Sequence, residues 1–315
     1  MSWLYLLLIN LLKEIKLVDE ILTIVLDGAI YASWLFIVAL GLTFVFGVLK
    51  ILNIAHGGIY ALGAYSTATL VPIFYSLGMP EQLVILAMLV SALAVAIVIT
   101  PIMERGILRR FYGQDEVLIV LVTYAIYLVL EDVQKLIWGM NSLYVSEPRE
   151  LLGALEFGSL YYVGYDLALI GLAIFCGLFL WFVLNKTQSG KIVLAVIHNP
   201  EISGCMGVNI NKVYLAAFFI GAFLAALAGS FTAPLISVQV GISVAVVIES
   251  FAVVIIGGLG SIPGAVIGAL IIGMARAACV HKLPVGEIFL MYFCMAGMLI
   301  FKPKGLFQGA QARKI

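Results

Sequence analysis

Residues 83–103 read LVILAMLVSALAVAIVITPIM, an apolar stretch that contains no charged side chain. A helix rises about 1.5 Å per residue and the hydrocarbon core of a bilayer is about 30 Å thick, so about 20 apolar residues are enough to cross it. An isolated strand would leave its backbone N–H and C=O groups unpaired in lipid, whereas a helix pairs them internally. The stretch therefore predicts a transmembrane α-helix.

Comparable apolar segments recur along the whole chain. Of its 315 residues 64% are hydrophobic and 11% are charged, whereas soluble domains are about 45–50% apolar and about 25% charged. This composition excludes an ordinary soluble protein, which needs polar residues to cover its surface. Nine candidate spans follow, at residues 21–48, 58–75, 83–103, 117–138, 167–184, 213–231, 244–259, 265–279 and 288–301.

The predicted fold class is an all-α, polytopic integral membrane protein. Two of the nine segments are short, so we expect eight to ten transmembrane helices. A turn of small residues followed by a Gly/Ala-rich helix occurs near residues 57 and 258, which suggests two weakly related halves. Residues 1–20 place apolar residues before charges, the reverse of a signal peptide, and are interpreted as an interfacial lead-in. The transmembrane domain then covers residues 21–307, and residues 308–315 form a C-terminal tail.

Several functional classes are disfavoured by what the sequence contains. The net charge is zero, which argues against nucleic acid as a partner. The sequence has no GxxxxGK[ST] phosphate loop and no HExxH or GxSxG motif. Its cysteines form no CxxC pair and are interpreted as small hydrophobic residues: Cys176, Cys205, Cys279 and Cys294. We therefore expect no catalytic residue, no metal site and no cofactor, and an energy source in another subunit or an ion gradient.

A polar segment, residues 185–212, interrupts the apolar pattern with NKTQSGKIVLAVIHNPEISGCMGVNINK. Within it Asn199 is a suitable helix cap, and Pro200 tolerates the first helical position because its missing N–H would be unpaired there. Gly207 is a suitable stop because glycine adopts the left-handed conformation that ends helices. The predicted helix, residues 200–206, is about 10 Å long and too short to cross a bilayer. A short rigid helix outside the membrane is a shape that another protein can bind.

Lysine and arginine concentrate in cytoplasmic loops of membrane proteins, and this rule orients the chain. If residues 185–212 are cytoplasmic, eleven of these residues lie inside: Lys50, Arg105, Arg109, Arg110, Lys186, Lys191, Lys212, Lys302, Lys304, Arg313 and Lys314. Only five then lie outside, namely Lys13, Lys16, Lys135, Arg149 and Lys282, and Arg276 is left out because it lies inside the eighth candidate span. The predicted topology is N-terminus outside and C-terminus cytoplasmic. The loop at residues 139–165 is the longest external feature.

The first polar cluster joins the first two predicted spans through NIAHGG, residues 53–58. Asn53 and His56 are costly in hydrocarbon unless they form hydrogen bonds, and a helix that begins here presents free N–H groups. Such breaks often lie beside the substrate path of transporters. The alternative is a cytoplasmic turn with a solvated Asn and His. Gly57 and Gly58 are interpreted as packing and turn residues rather than ligands.

The second cluster, residues 249–273, reads ESFAVVIIGGLGSIPGAVIGALIIG. Gly257, Gly258 and Gly260 break one apolar run into two. The segment is either a tight turn between packed helices or a broken helix that lines the pathway. Glu249 begins the cluster, and with Asp27 it is a candidate for the midplane carboxylate that an ion-coupled carrier needs. Glu131, Asp132 and Lys135 are expected to form an interfacial salt bridge.

Taken together, three stretches resemble the permease family of branched-chain amino-acid ABC importers, of the LivH type: residues 41–65 (GLTFVFGVLKILNIAHGGIYALGAY), 187–213 (TQSGKIVLAVIHNPEISGCMGVNINKV) and 251–273 (FAVVIIGGLGSIPGAVIGALIIG). Phe301–Phe307 also resembles the family's C-terminal pattern. The resemblance covers residues 20–307. It implies a plasma-membrane permease subunit that pairs with a homologous permease, two cytoplasmic ABC ATPase subunits and an extracytoplasmic substrate-binding protein.

The resemblance also implies roles for individual residues. The short helix resembles the coupling helix that docks on an ATPase, with Asn199, Pro200, Glu201, Ser203 and Gly207 as its site residues. Many importers have Glu-Ala-Ala, three residues and then Gly at this site, whereas this chain keeps the spacing without both alanines. Glu249-Ser250-Phe251 likewise differs from the Lys-Ala-Phe of many relatives. Urea, amide and sugar permeases share this type, and they remain alternatives together with an ion-coupled secondary carrier.

The substrate pathway is expected beside Asn53, His56, Gly57 and Gly58 in the first cluster, and beside Glu249, Gly257, Gly258 and Gly260 in the second. A membrane-embedded enzyme or assembly scaffold is the other alternative, and it would need a polar catalytic cluster inside the spans.

Overall fold

The computed structural model describes residues 2–157, 160–303 and 305–307, with side chains from residue 17 onward except those at positions 157, 160 and 288. Within this part the chain consists of α-helices, short 3-10 or π turns and one antiparallel hairpin. The helices are α1 Ser2–Leu49, α2 His56–Ser76, α3 Val84–Thr100, α4 Glu116–Trp138, α5 Glu147–Glu150, α6 Gly164–Lys186, α7 Gln188–His198, α8 Pro200–Cys205, α9 Ile210–Thr232, α10 Ile242–Gly257, α11 Ile262–Lys282 and α12 Glu287–Phe301. The strands are β1 Ala154–Phe157 and β2 Leu160–Val163.

The all-α prediction is confirmed, since each of the nine apolar segments corresponds to one helix, and all but the first agree with the helix bounds to within a few residues. In the described residues, five helices are long and apolar enough to cross a membrane by length and composition alone. They lie at Leu17–Leu49, Glu81–Phe111, Gly164–Lys186, Ile210–Leu235 and Ile262–Lys282. Shorter apolar helices occupy Ile242–Gly257 and Phe289–Phe301. The count of eight to ten spans stays a prediction.

The helix starts follow local chemistry. Several helices begin where a polar side chain accepts a hydrogen bond from a backbone N–H of the first turn, which satisfies a donor that has no intrahelical partner. These caps are Asp115 for α4, Thr187 for α7, Asn199 for α8, Asn209 for α9 and Ser261 for α11.

The predicted lead-in is continuous with α1, because the helix runs without a break from Ser2 to Leu49. The backbone therefore shows no break at residue 20, where the sequence predicted the end of the lead-in. The position of residues 1–20 at the membrane surface stays a prediction, and the side chains of residues 1–16 lie outside the described part. The predicted tail at residues 308–315 also lies outside it.

The centre of the fold is the packing of α9 against α1, α2 and α3. Gly63 and Gly229 lie where the α2 and α9 backbones meet: a Cβ at Gly229 would overlap with the Tyr60 carbonyl oxygen, and a Cβ at Gly63 with that of Ala226. Ser230 donates a hydrogen bond to the Gly63 carbonyl at 3.2 Å. Small residues permit such close helix contact in membranes, where packing rather than water exclusion holds helices together.

A second set of close contacts joins α11 to α1 and α10. Gly273 meets the backbone of Gly28 in α1, and Gly257 in α10 meets Gly264 in α11 so closely that a side chain at either position would clash. Gly268 of α11 meets the Val253 carbonyl of α10 in the same way. The glycine-rich segments 251–273 thus pack as a tight helix pair.

The loop that is predicted to be external, residues 139–165, contacts three parts of the bundle through its described residues. Leu143 pairs with Val238 in an isolated antiparallel bridge. Arg149 donates hydrogen bonds to both carboxylate oxygens of Asp166, at 3.0 and 2.7 Å, and this contact raises the pKa of the guanidinium. On β2, burial and the nearby Asp27 carboxylate raise the pKa of Tyr162 to about 12, so the phenol stays a protonated donor at neutral pH.

Candidate coupling and transport sites

Helix α8 has the geometry that its sequence predicts. The Asn199 side chain accepts a hydrogen bond from the Ile202 N–H at 3.0 Å, and Pro200 occupies the first helical position. The chain leaves the helix through Gly207, whose φ of +87° lies in the left-handed region. The predicted helix at residues 200–206 is confirmed, with Met206 as its C-terminal cap residue.

The side chains of α8 divide between an inner and an outer face. Ser203 is buried, and its hydroxyl donates to the Asn199 carbonyl at 2.8 Å. Glu201 is exposed, Ile202 is 61% exposed and Met206 is 80% exposed. Large apolar side chains exposed on a polar loop indicate an interaction surface. Of the candidate residues, Asn199, Pro200, Ser203 and Gly207 shape the helix, whereas Glu201 faces outward.

Sequence analysis missed α7, which precedes α8 and contacts it. Thr187 caps α7 by accepting a hydrogen bond from the Gly190 N–H at 3.0 Å. The signal was present: a threonine cap followed by apolar residues at helical spacing, namely Ile192, Val193, Val196 and Ile197. The polar segment therefore contains two consecutive helices in contact and not a loop with one helix.

We expect Asn199→Ala to loosen the start of α8, because loss of an N-cap costs about 1 kcal/mol. Amide hydrogen exchange at Ile202, measured by mass spectrometry on the detergent-solubilised chain, should become about fivefold faster, since 1.4 kcal/mol corresponds to about tenfold. Asn211→Ala is the control, because Asn211 is an exposed residue in the first turn of α9, whose cap is Asn209. Equal exchange in both variants would contradict the capping role.

The first polar cluster lies inside the protein. Asn53 and His56 are buried, and His56 Nε2 lies 3.0 Å from the Val38 carbonyl oxygen in α1. Val38 lies eleven residues before the end of α1 at Leu49, which corresponds to about 16 Å along the helix. The chain therefore turns back along α1 before α2 begins. The alternative of a solvated cytoplasmic turn is wrong, because neither side chain reaches solvent.

Two polar atoms of this cluster have no hydrogen-bond partner among the described residues: Asn53 Oδ1 and His56 Nδ1. The chain around them is held by Thr123 of α4, which accepts from the Ile54 N–H at 3.3 Å and donates to the Leu52 carbonyl at 3.2 Å. Buried polar groups without partners are uncommon and often mark functional positions.

Gly57 and Gly58 occupy helix contacts. A side chain at Gly57 would clash with the Ser243 carbonyl of α10, and one at Gly58 would meet the Leu130 side chain of α4. Gln134 of α4 donates to the Gly58 carbonyl at 3.0 Å. The interpretation of both glycines as packing residues agrees with these contacts. The placement of Gly57 and Gly58 beside a substrate path stays a prediction.

The glycines of the second cluster form the turn from α10 to α11. Gly258 and Gly260 have φ values of +105° and +77°, which favour glycine. Gly260 packs against Gly47 of α1, and Gly257 against Gly264 of α11. Leu306 and Phe307 donate backbone hydrogen bonds to the carbonyls of Ile256 and Gly257, both at 2.9 Å. The segment that resembles the family's C-terminal pattern thus covers the end of α10.

Glu249 lies at the centre of a charged cluster that four helices build. Tyr31 of α1 donates to Glu249 Oε2 at 2.5 Å, and the Tyr31 ring lies 4.0 Å from the Arg276 guanidinium of α11. Arg276 Nη1 lies 3.7 Å from Glu249 Oε1, while its Nε and Nη2 donate to Glu287 Oε1 of α12 at 2.7 and 2.6 Å. Sequence reasoning found Glu249 but missed its partners, because nothing in the spacing links these four helices.

A cavity of about 370 Å³ adjoins this cluster. Its charged and phenolic groups are Tyr31, Glu249, Arg276 and Glu287, and its apolar lining includes Ala245, Ile248, Ile272, Leu290 and Met291. The side chain of Arg276 is 34% exposed and that of Glu287 is 32% exposed in the isolated chain. Charges are expensive in contact with lipid, so this surface is expected to face water or another subunit.

The remaining candidate carboxylates are paired elsewhere. Asp27 accepts from Tyr162 at 3.0 Å and lies 2.8 Å from His281 Nε2, so it connects the β1–β2 hairpin to α1 and α11. Lys135 forms salt bridges with Glu131 at 3.3 Å and Asp132 at 3.2 Å, as the sequence predicted. The candidate site residues fall into two groups. The first group, which contains both glycine clusters and Glu249, lies on or against α10. The second group belongs to α8, which contacts α7 and α9 instead.

The structure combines a bundle of membrane-spanning helices, a charged and partly exposed cavity, and a capped, exposed helix in a polar loop. These features define a polytopic membrane permease. Comparison with known protein families identifies the kind of permease. Residues 24–301 match the family described as the permease component of the branched-chain amino acid transport system. The chain belongs to this family of membrane transport permeases, and the predicted resemblance is confirmed.

Three relatives illustrate the breadth of the match. The branched-chain amino acid permease BraD of Pseudomonas aeruginosa is 25% identical over 92% of this chain and 96% of its own length. The probable branched-chain amino acid permease LivH of Methanocaldococcus jannaschii is 27% identical, covering 90% and 91%. The ribose import permease RbsC of Haemophilus influenzae is 28% identical, covering 83% and 77%. No solved structure matches the chain.

Proposed function

We propose that this chain is one permease subunit of an ATP-driven importer that carries branched-chain amino acids across the cell membrane into the cytoplasm. The observation that carries the proposal is the family match over residues 24–301 together with relatives named as branched-chain amino acid permeases over nearly their full length. The chain itself supplies the path, and separate subunits supply ATP hydrolysis. A second, homologous permease completes the pore.

In this proposal α8 is the contact with the ATPase. Its exposed face carries Glu201, Ile202 and Met206, whereas Asn199 and Pro200 fix its start and Gly207 its end. Movement of the ATPase subunits is transmitted through α8 to α7 and α9, with which it packs. Each nucleotide state favours one arrangement of the helices because it binds that arrangement more tightly. The orientation with α8 in the cytoplasm agrees with the lysine and arginine distribution.

The substrate pathway lies along α10, between the Asn53–Gly58 segment and the Gly257–Gly260 turn. Support comes from the unpartnered buried atoms of Asn53 and His56 and from the charged cavity at Glu249. The external loop receives the substrate-binding protein. Its exposed side chains include Met140, Tyr144 and Tyr161, and its contacts to α1, α6 and the segment after α9 hold it in a fixed position on the bundle.

A ribose importer subunit is the second candidate, favoured by the 28% identity to RbsC over most of both chains. The two candidates differ in what the transported solute carries. A sugar is neutral and would leave the charges at Glu249 and Arg276 without a role in binding, whereas an amino acid carries both signs of charge. Competition of transport by L-leucine against D-ribose separates the two.

We expect the tagged chain, purified from its native membranes, to bring with it a homologous permease and two ATPases that contain phosphate loops. Mass spectrometry would identify these subunits. Vesicles reconstituted with the complex should take up L-leucine only when ATP is present inside them and the substrate-binding protein is present outside. Recovery of the chain alone, with ATP-independent uptake driven by a proton or sodium gradient, would overturn the proposal in favour of an ion-coupled carrier. Loss of that uptake in Glu249→Gln would then identify the coupling residue.

A further inference from the structure

We propose that the cavity between α1, α10, α11 and α12 binds the charged groups of an α-amino acid, with Glu249 facing the ammonium and Arg276 facing the carboxylate. The inference rests on the proposed import function and names the residues that would recognise the solute inside the permease itself. It concerns the cluster of Tyr31, Glu249, Arg276 and Glu287.

One side of each central charge is available for a ligand. Glu249 Oε2 accepts from Tyr31, but Oε1 lies 3.7 Å from Arg276 Nη1, beyond hydrogen-bond distance. Arg276 directs Nε and Nη2 to Glu287 and is held from the other side by the Tyr31 ring. Its Nη1 and Glu249 Oε1 therefore face each other without a direct hydrogen bond, and both residues line the cavity.

An α-amino acid in the cavity would bridge these two atoms from one side, because their separation of 3.7 Å leaves no room for a ligand between them. Its ammonium nitrogen and carboxylate carbon are separated by about 2.5 Å, from the N–Cα and Cα–C bond lengths. Its ammonium and carboxylate would each form a charge-assisted hydrogen bond with one member of the long ion pair, and such bonds are stronger than neutral ones. Because the solute carries no net charge, its binding adds none to a cluster that already holds two carboxylates and one guanidinium.

The rest of the cavity suits an aliphatic side chain. Ala245 and Ile248 of α10, Ile272 of α11 and Leu290 and Met291 of α12 form apolar walls. A volume of about 370 Å³ lies in the range of sites for small molecules, about 300–1,000 Å³, which are mostly apolar with a few placed polar groups. The site would thus recognise the ammonium and carboxylate groups of the amino acid by their charge, and its side chain by burial against the apolar walls.

The cluster lies near one end of the bundle. Arg276 is six residues before the end of α11 at Lys282, and Glu287 is the first residue of α12. Six residues correspond to about 9 Å along a helix. In the predicted topology this end faces outward, so the site would be the first one that a solute released by the binding protein meets in this subunit.

The first test uses the unaltered complex, purified with its permease and ATPase partners but without the binding protein, in lipid nanodiscs. Labelled L-leucine should bind, and unlabelled L-isoleucine or L-valine should displace it. We expect 4-methylpentanoate, which lacks the ammonium, and 3-methylbutylamine, which lacks the carboxylate, to compete at least tenfold more weakly. Equal competition by either analogue, or no binding of L-leucine, would overturn the proposal.

The second test assigns the residues. Glu249→Gln should weaken L-leucine binding at least tenfold, whereas Glu131→Gln should not change it. Glu131 is a matched control because it is also ion-paired and its side chain is 16% exposed, like that of Glu249. Wild-type affinity in Glu249→Gln would refute the assignment. ATP-dependent uptake by the unaltered complex, measured in parallel, distinguishes the failure of this site from a failure of the import function.

Discussion

Gly229→Leu should yield little folded protein, with at least a tenfold loss of the monodisperse peak in fluorescence-detected size-exclusion chromatography. Gly229 of α9 meets α2 so closely that even a Cβ would overlap with the Tyr60 carbonyl oxygen, and the Tyr60 carbonyl carbon and the Ala64 nitrogen would lie only 2.8 and 3.0 Å away. Backbone atoms cannot rotate away as a side chain can. Overpacking in a core typically costs about 1–3 kcal/mol, and more where the backbone must move.

The matched control for this prediction is Gly171→Leu. Gly171 also lies within a long apolar helix, α6, but it is exposed and a Cβ there meets nothing within 4 Å. A leucine at a lipid-facing position is favourable in hydrocarbon, so this variant should give the wild-type peak. Equal loss in both variants would show that the effect of leucine does not depend on the contact between α2 and α9.

The close contact at Gly229 also shows how far the sequence predicts the fold. Apolar segments of about 20 residues specify the spans because lipid leaves the backbone few alternatives, and all nine segments are helices. Which glycines meet which helices is not encoded in local spacing. The pairs Gly63–Ala226 and Gly28–Gly273 join residues far apart in the chain, so they emerge only from the packed structure.

The candidate site was predictable to the same limited extent. The α8 helix follows from Asn199, Pro200 and Gly207, each of which acts through its own backbone geometry. Glu249 stood out because a carboxylate is rare in an apolar segment. Its partners were hidden: Arg276 lies on another helix, and Tyr31 has no pattern that marks it. The backward turn that buries His56 was equally invisible, since solvated and buried histidines look alike in a sequence.

The exposed side chains of α8 give the second large prediction. Ile202→Asp should abolish recovery of the ATPase subunits with the tagged chain, and ATP-driven uptake of L-leucine should fall at least 30-fold. Ile202 is 61% exposed and therefore adds little to the stability of this chain, so a carboxylate there is tolerated in the fold. At the centre of an interface the aspartate would replace an apolar contact by a desolvated charge. Substitutions at such central positions cost about 2 kcal/mol or more of binding free energy. This loss corresponds to about 30-fold in affinity.

Met140→Asp is the matched control for Ile202→Asp. Met140 is an apolar side chain of similar size, 72% exposed, but it lies in the external loop at the opposite end of the bundle in the predicted topology. The ATPase subunits should therefore co-purify with this variant as with the unaltered chain. Normal ATPase recovery and uptake in Ile202→Asp would mean that α8 is not the docking helix, whereas loss of recovery in Met140→Asp would instead place the ATPase on the external side and reverse the orientation. Because the two variants share the chemistry of the change and differ only in the surface that carries it, their difference assigns the coupling surface and the orientation of the chain together.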